Sequence, residues 1–267
     1  MKSFSQLASW PCSTVAAAAI APNGTIHRHG DTGQVFELAS ITKLLTAATV
    51  HVAIEEGSVG LDDELDDRGA TLADVLAHAG GFAPNGTVLE DPGMRRIYSN
   101  GGYELIAEHV ANATEMAFAD YMHEGIFSAL GMNSAQLTRS AAFGAQASVE
   151  DLLLFVTGLP SLLAPSTLAT MTTPHLPELI GVLPGYGRQA PNTWGLGPEI
   201  RATKDPHWTS PDNDPATWGH FGQTGTFLWV DPSVQVTLIT LTDKPFGDWA
   251  IPRWPTFSGD VRNELRN

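Results

Sequence analysis

Ser40 and Lys43 stand three positions apart, where the short apolar segment Phe36-Glu37-Leu38-Ala39 runs into a helical pattern. Apolar residues then recur at Ile41, Leu44, Leu45, Ala48 and Val52, a stripe that predicts a helix burying one face against a sheet. Residues at this spacing share one side of a helical turn, so the hydroxyl and the amine are expected to lie together. A lysine beside an apolar stripe loses hydration of its ammonium form, its pKa falls, and the amine can then take a serine's proton. A serine at a helix N-terminus also has free backbone N–H groups and the positive end of the dipole to hold an oxyanion. The same spacing arises wherever a serine caps a helix and a lysine is solvated, so the rest of the chain has to weigh on the reading.

The chain has 267 residues, enough for a full core in one large domain or two intimate ones. Hydrophobic residues at 43% and charged ones at 16% are the balance of a globular protein. A net charge of −15, from 29 acids and 14 bases, argues against a nucleic acid or an anionic membrane surface as partner. It leaves open a small-molecule substrate, because local charge in a cleft can oppose the total. The single cysteine, Cys12, excludes an internal disulfide. No apolar run approaches the roughly 20 residues that span a bilayer, and the alanine-rich run Val15 to Ala21 reads as a strand, so a cytoplasmic location is expected. His27 and His29 share a strand face but have no carboxylate or cysteine at ligand spacing nearby; no metal and no other cofactor is implied.

Along the chain, Thr14 to Ala21 and Thr25 to His29 flank Pro22-Asn23-Gly24 as a hairpin, and Val35 to Leu38 is a third short strand leading to Ser40. Thr71 with Asp74, and Ser148 with Asp151, are capping-box signals for two helices. Tyr98-Ser99-Asn100 opens another helix, and a further one spans Met116 to Leu130. From Pro160 to Pro215 the chain reads as loop, with one helical candidate at Ser166 to Met171. Strands return at Trp218 to Phe221, Thr226 to Val230 and Val234 to Thr242, and Asp260 to Arg266 reads as a closing helix. The expected fold is thus α/β (α+β). Strands from both ends form an antiparallel sheet flanked by helices, around an inserted, mostly helical subdomain. Residues 1–60 and 200–267 would form the sheet domain and 61–199 the helical and loop subdomain, one catalytic unit with the site between them.

Three stretches therefore occur in order: Ser40-Ile41-Thr42-Lys43, Tyr98-Ser99-Asn100 and His220-Phe221-Gly222. The set resembles the serine β-lactamase and penicillin-binding-protein superfamily, whose signatures are Ser-x-x-Lys, Ser-Asp-Asn and Lys-Thr-Gly. The Tyr-Ser-Asn and His-x-Gly forms are similar to the class C branch, which includes D-alanyl-D-alanine peptidases and esterases of the same fold. Leu76-Ala77-His78-Ala79-Gly80-Gly81 and Thr224-Gly225-Thr226-Phe227-Leu228-Trp229 add to the likeness, which runs from about Thr14 to Thr242.

The resemblance implies that Ser40 is the acylated nucleophile, Lys43 its proton partner, and Tyr98 a second base whose phenolate nearby Lys43 favours. Asn100 would hold the substrate and contact Lys43, or cap the helix behind it. Backbone N–H groups of Ser40 and Gln223 would bind the oxyanion, and Gly222 would leave the substrate room at the strand. His220 stands where lactamases commonly place a lysine, Phe221 where they place a hydroxyl residue, and Gln223 where Ser or Thr is frequent. These changes weaken recognition of a substrate carboxylate, so a serine esterase is the first expectation. A β-lactamase or D-Ala-D-Ala carboxypeptidase, with Arg201 or Lys204 as the missing cation, is the second. A catalytically silent binding relative is the third. The sequence leaves the oligomeric state open.

Overall fold

The computed structural model describes residues 1–266. Strands β1 (Val15–Ile20) and β2 (Ile26–His29) form the expected hairpin, and Gly24 in its turn takes φ +80, the left-handed region that an Asn-Gly turn requires. Strand β3 (Val35–Glu37) leaves this sheet and pairs with β5 (Ala145–Ser148), which also pairs with β4 (Gln136–Leu137). The main sheet is completed by the end of the chain. Strands β8 (Glu199–Ile200), β9 (Trp218–Gly222), β10 (Thr226–Asp231) and β11 (Val236–Thr242) give the antiparallel order β2-β1-β11-β10-β9-β8. First and last strands are hydrogen-bonded neighbours, with Val15 opposite Thr242.

Between the strands lie α1 (Thr42–Glu55), α2 (Leu72–Leu76), α3 (Asn100–Thr114) and α4 (Phe118–Met122), the last running on into a wider turn at His123–Ser128. Then come α5 (Val149–Leu162) and α6 (Pro165–Thr172), and α7 (Ala250–Leu265) closes the chain. Both capping boxes form as expected, Thr71 with Asp74 and Ser148 with Asp151. β11 is buried at every position, and α5 and α7 pack against it. β1 is covered on both faces as well, so Ala16, Ala17, Ala18 and Ala19 are fully buried and the strand reads as an unbroken apolar run.

Three expectations are corrected. Helix α1 does not bury a single face: every residue from Thr42 to Ala53 is buried, because α3, α4, α6 and β9 surround it. Its polar side chains are satisfied locally, Thr46 donating to the Ala141 carbonyl (2.6 Å), Thr49 to the Leu45 carbonyl (2.9 Å) and His51 Nδ1 to the Ala47 carbonyl (2.7 Å). Helix α7 begins ten residues before Asp260; Pro252 and Pro255 mask a stripe of Trp254, Phe257, Val261 and Leu265 that is buried. The loop-rich stretch also carries a hairpin of β6 (Gly181–Leu183) and β7 (Gly187–Gln189), held to the Tyr98 segment by a parallel bridge between Gly181 and Arg96. Among the described residues no helix is long and apolar enough to cross a membrane.

Candidate active site

Ser40 lies in a single 3-10 turn, Ala39–Ile41, between β3 and α1. Ala39 is forced to φ +46, a conformation that costs a non-glycine residue energy and persists because its surroundings hold it: the Leu38 N–H is tied to the Ala145 carbonyl (3.0 Å). The turn packs against β9. A Cβ added at Gly222 would lie 2.3 Å from the Leu38 carbonyl oxygen and 3.0 Å from Ala39 Cβ. Glycine is therefore needed there to seat the Ser40 turn on the strand.

Lys43, in the first turn of α1, has no solvent exposure. Its Nζ donates to Asn100 Oδ1 (2.7 Å) and to the Ala142 carbonyl (2.9 Å) and sits 4.6 Å from the centre of the Tyr98 ring. Burial drives its pKa well below the lysine range, with only Glu104 opposing. Asn100 makes the expected contact with Lys43 but is not the cap of α3. That is Ser99, whose Oγ accepts from the Gly102 N–H (2.9 Å).

Tyr98 corrects a second expectation. Among the described residues its buried hydroxyl has no hydrogen-bond partner, and burial raises its pKa above the tyrosine range; the nearby Ser40 hydroxyl offsets this only in part. The phenolate is thus disfavoured, because loss of hydration outweighs a neighbouring amine that is itself held toward the neutral form.

His78 escaped the sequence reading although it lies within the quoted Leu76-to-Gly81 stretch. It grips the Tyr98 segment on both sides, its carbonyl accepting from the Ile97 N–H (2.9 Å) and its Nδ1 from the Ser99 N–H (3.2 Å). Its ring stacks 4.5 Å from that of Tyr98, and burial pushes its pKa well down, which keeps Nδ1 free to accept. Replacing His78 with leucine is expected to slow fluorophosphonate labelling of Ser40 about tenfold, the worth of one positioning hydrogen bond. His78→Asn should recover part of the rate, since asparagine can accept through Oδ1 and tolerates the φ of +58 found here. Equal rates for the leucine, asparagine and unaltered proteins would remove the role.

The side chains converge on a cleft of about 420 Å³ lined by Ser40, Tyr98, Asn100, Leu183, Pro184, Trp194, Glu199, His220, Phe221 and Gln223. Lys43 stands behind Asn100, and Gly222 beneath the Ser40 turn. His220 is buried; its Nδ1 donates to the Phe221 carbonyl (2.7 Å), which leaves Nε2 as an acceptor without a partner. Burial and the proximity of Lys43 push its pKa down to about 3, so the imidazole is neutral. Glu199 is the other residue the sequence did not reveal. Its carboxylate accepts from Lys204 Nζ (2.7 Å), His207 Nε2 (2.8 Å) and Trp208 Nε1. Lys204 spends its remaining donors on the Thr193 and Ile200 carbonyls, and Arg201 donates to the Ser210 and Ala202 carbonyls (2.8 Å each). Lys204 thus has no donor left for a substrate, and neither it nor Arg201 is among the residues lining the cleft.

Known proteins share this arrangement of elements. A crystal structure of a β-lactamase from Mycobacterium bovis superposes with a TM-score of 0.97 at 44% identity, covering 99% of this chain and 100% of that one. D-amino acid amidase from Ochrobactrum anthropi SV3 has the same fold at 17% identity, with a TM-score of 0.79 and coverage of 99% and 97%. Penicillin-binding protein 4* of Bacillus subtilis is 27% identical over a match spanning 40% of this chain and 31% of its own length, so the match covers about a third of that relative. The family described as Beta-lactamase matches residues 13–257. Since that match runs through every element carrying the side chains of the cleft, from β1 into α7, the chain belongs to the β-lactamase family of serine hydrolases.

Proposed function

We propose that the chain is a serine hydrolase of esterase type, working through an acyl-enzyme on Ser40. One observation carries the choice of ester: among the described residues the only charged side chain lining the cleft is a carboxylate, Glu199, and the residue in the usual lysine position is the neutral His220. A substrate carboxylate would meet no cation there, whereas an uncharged ester needs none. In the first step Ser40 Oγ bonds to the acyl carbon while Lys43 takes its proton, and the oxyanion is held by the N–H groups of Ser40 and Gln223. Tyr98, protonated, relays that proton to the departing alcohol. Water then attacks the acyl carbon, the acid leaves, and the Ser40 hydroxyl is restored.

A second reading, β-lactam or D-alanyl amide hydrolysis, is favoured by the 44% identity to the Mycobacterium bovis β-lactamase. The two separate in one experiment: treat the protein with a fluorophosphonate and with a labelled penicillin, and map the adducts by mass spectrometry. Labelling of Ser40 by the first alone is the expected result. A penicillin adduct that forms and turns over would favour the second reading, and no labelling by either would leave a fold without the chemistry.

A further inference from the structure

A second hollow opens beside the cleft and shares two of its walls, Tyr98 and Pro184. It is the larger of the two, about 810 Å³ against 420 Å³, and Pro84, Ile97, Gly181 and Val182 complete much of its lining. Its two arginines are engaged by the protein itself. Arg96 is buried and donates to the carbonyls of Ala77, His175, Leu176 and Asn192, and Arg95 is paired with Glu90. Apolar side chains are left uncovered around it: Val182 is 60% exposed, Met94 66% and Ile180 40%. Val182 lines the hollow itself, and Met94 and Ile180 precede its lining residues Arg95 and Gly181 in the chain; the two segments are tied by the Arg96 N–H to the Ile180 carbonyl (2.9 Å) and the bridge of Arg96 to Gly181. Single exposed apolar residues are ordinary, but a set along the segments that line a mainly apolar hollow sharing walls with the Ser40 cleft marks a binding surface.

We propose that this hollow holds an unbranched alkyl arm of the substrate, so that the natural substrate is an ester of medium chain length. The inference rests on the esterase reading and adds to it the chemical class of the substrate. Tyr98 is the hinge of the argument: it lines both spaces, with Pro184, so the hollow adjoins the Ser40 cleft and lies next to an arm that leaves the cleft on the Tyr98 side. The arm belongs to either the acyl or the alcohol side of the ester, and two substrate series tell them apart. One is the p-nitrophenyl esters from acetate to octanoate, the other the alkyl acetates from ethyl to octyl.

In one of these series kcat/KM is expected to rise at least about tenfold from the two-carbon to the eight-carbon chain, a modest share of what burying the added methylenes provides. Val182→Glu should lower that eight-to-two ratio at least about tenfold by placing a charge in the hollow. Leu154→Glu, the same change at an exposed position of α5 outside the hollow, should leave the ratio as it was. Flat or falling activity in both series, or an unchanged ratio in Val182→Glu, overturns the proposal. A chain without esterase activity is tested by calorimetry with N-methyloctanamide on the Ser40→Ala protein. Saturable binding that Val182→Glu removes supports the alkyl site although the ester reading fails, and absence of binding overturns it.

Discussion

Lys43→Ala is expected to lower the rate of Ser40 acylation by at least about a hundredfold, and Tyr98→Phe by a comparable factor, the usual weight of a positioned proton-transfer group. The argument for Lys43 is a count of hydrogens. A neutral amine has two hydrogens and one lone pair, and its hydrogens are directed at Asn100 Oδ1 (2.7 Å) and the Ala142 carbonyl (2.9 Å). The lone pair is then left for another partner, and the Tyr98 ring stands 4.6 Å from the nitrogen. Burial favours this neutral form by driving the lysine pKa well down, while it holds Tyr98 protonated. The sign of the pH dependence follows. Activity should rise with pH as Lys43 loses its proton, and the limb should fall below the ordinary lysine value of about 10.4. A tyrosine base would place it above the ordinary tyrosine value of about 10, because the Tyr98 pKa is raised. Stopped-flow labelling across pH decides: Tyr98→Phe should keep the limb where it is and lose rate, whereas Lys43→Ala should lose the limb. A near-normal rate in either variant removes that residue from the mechanism.

What the sequence made legible was local or strongly periodic. The capping boxes at Thr71 and Ser148 need only four residues each, and β9 to β11 announce themselves by length and apolar content. The features that escaped depend on tertiary partners. β6 is three residues long and is held by a bridge to Arg96, a partner far away in the chain. The polar positions of α1 looked exposed because nothing in the helix itself tells that Ala141 will offer a carbonyl to Thr46. The error over Tyr98 has the same root: the sign of a neighbouring charge can be read from a motif, but the desolvation that outweighs it exists only once the surrounding rings of His78, Trp194 and His220 are in place.

Lys204→Met is expected to cost about 3–5 kcal/mol of stability, because removing one partner of a buried pair leaves the other charge uncompensated. Lys204 and Glu199 side chains are 0% and 2% exposed, so water cannot take over the lost bond. Two N–H donors, from His207 and Trp208, would still face Glu199, but neither carries the full charge it lost. Urea unfolding gives the number, and Glu199→Gln/Lys204→Met should recover much of it, since no bare charge then remains. A double variant as unstable as the single one would mean that shape, not charge, holds this corner. Acid gives an independent check. Lys204 and His207 hold the Glu199 carboxyl well below the usual glutamate range, so its contribution is present above the unfolded value of about 4.3 and is lost as pH falls toward the folded one. The consequence reaches the site, because Glu199 lines the cleft and pairs in β8 with Gly219 of β9, the strand that carries His220. Labelling of Ser40 in Lys204→Met should therefore weaken at temperatures where the protein as a whole is still folded, through loss of order at this sheet edge; labelling that stays normal up to the melting transition would show the edge and the cleft to be uncoupled.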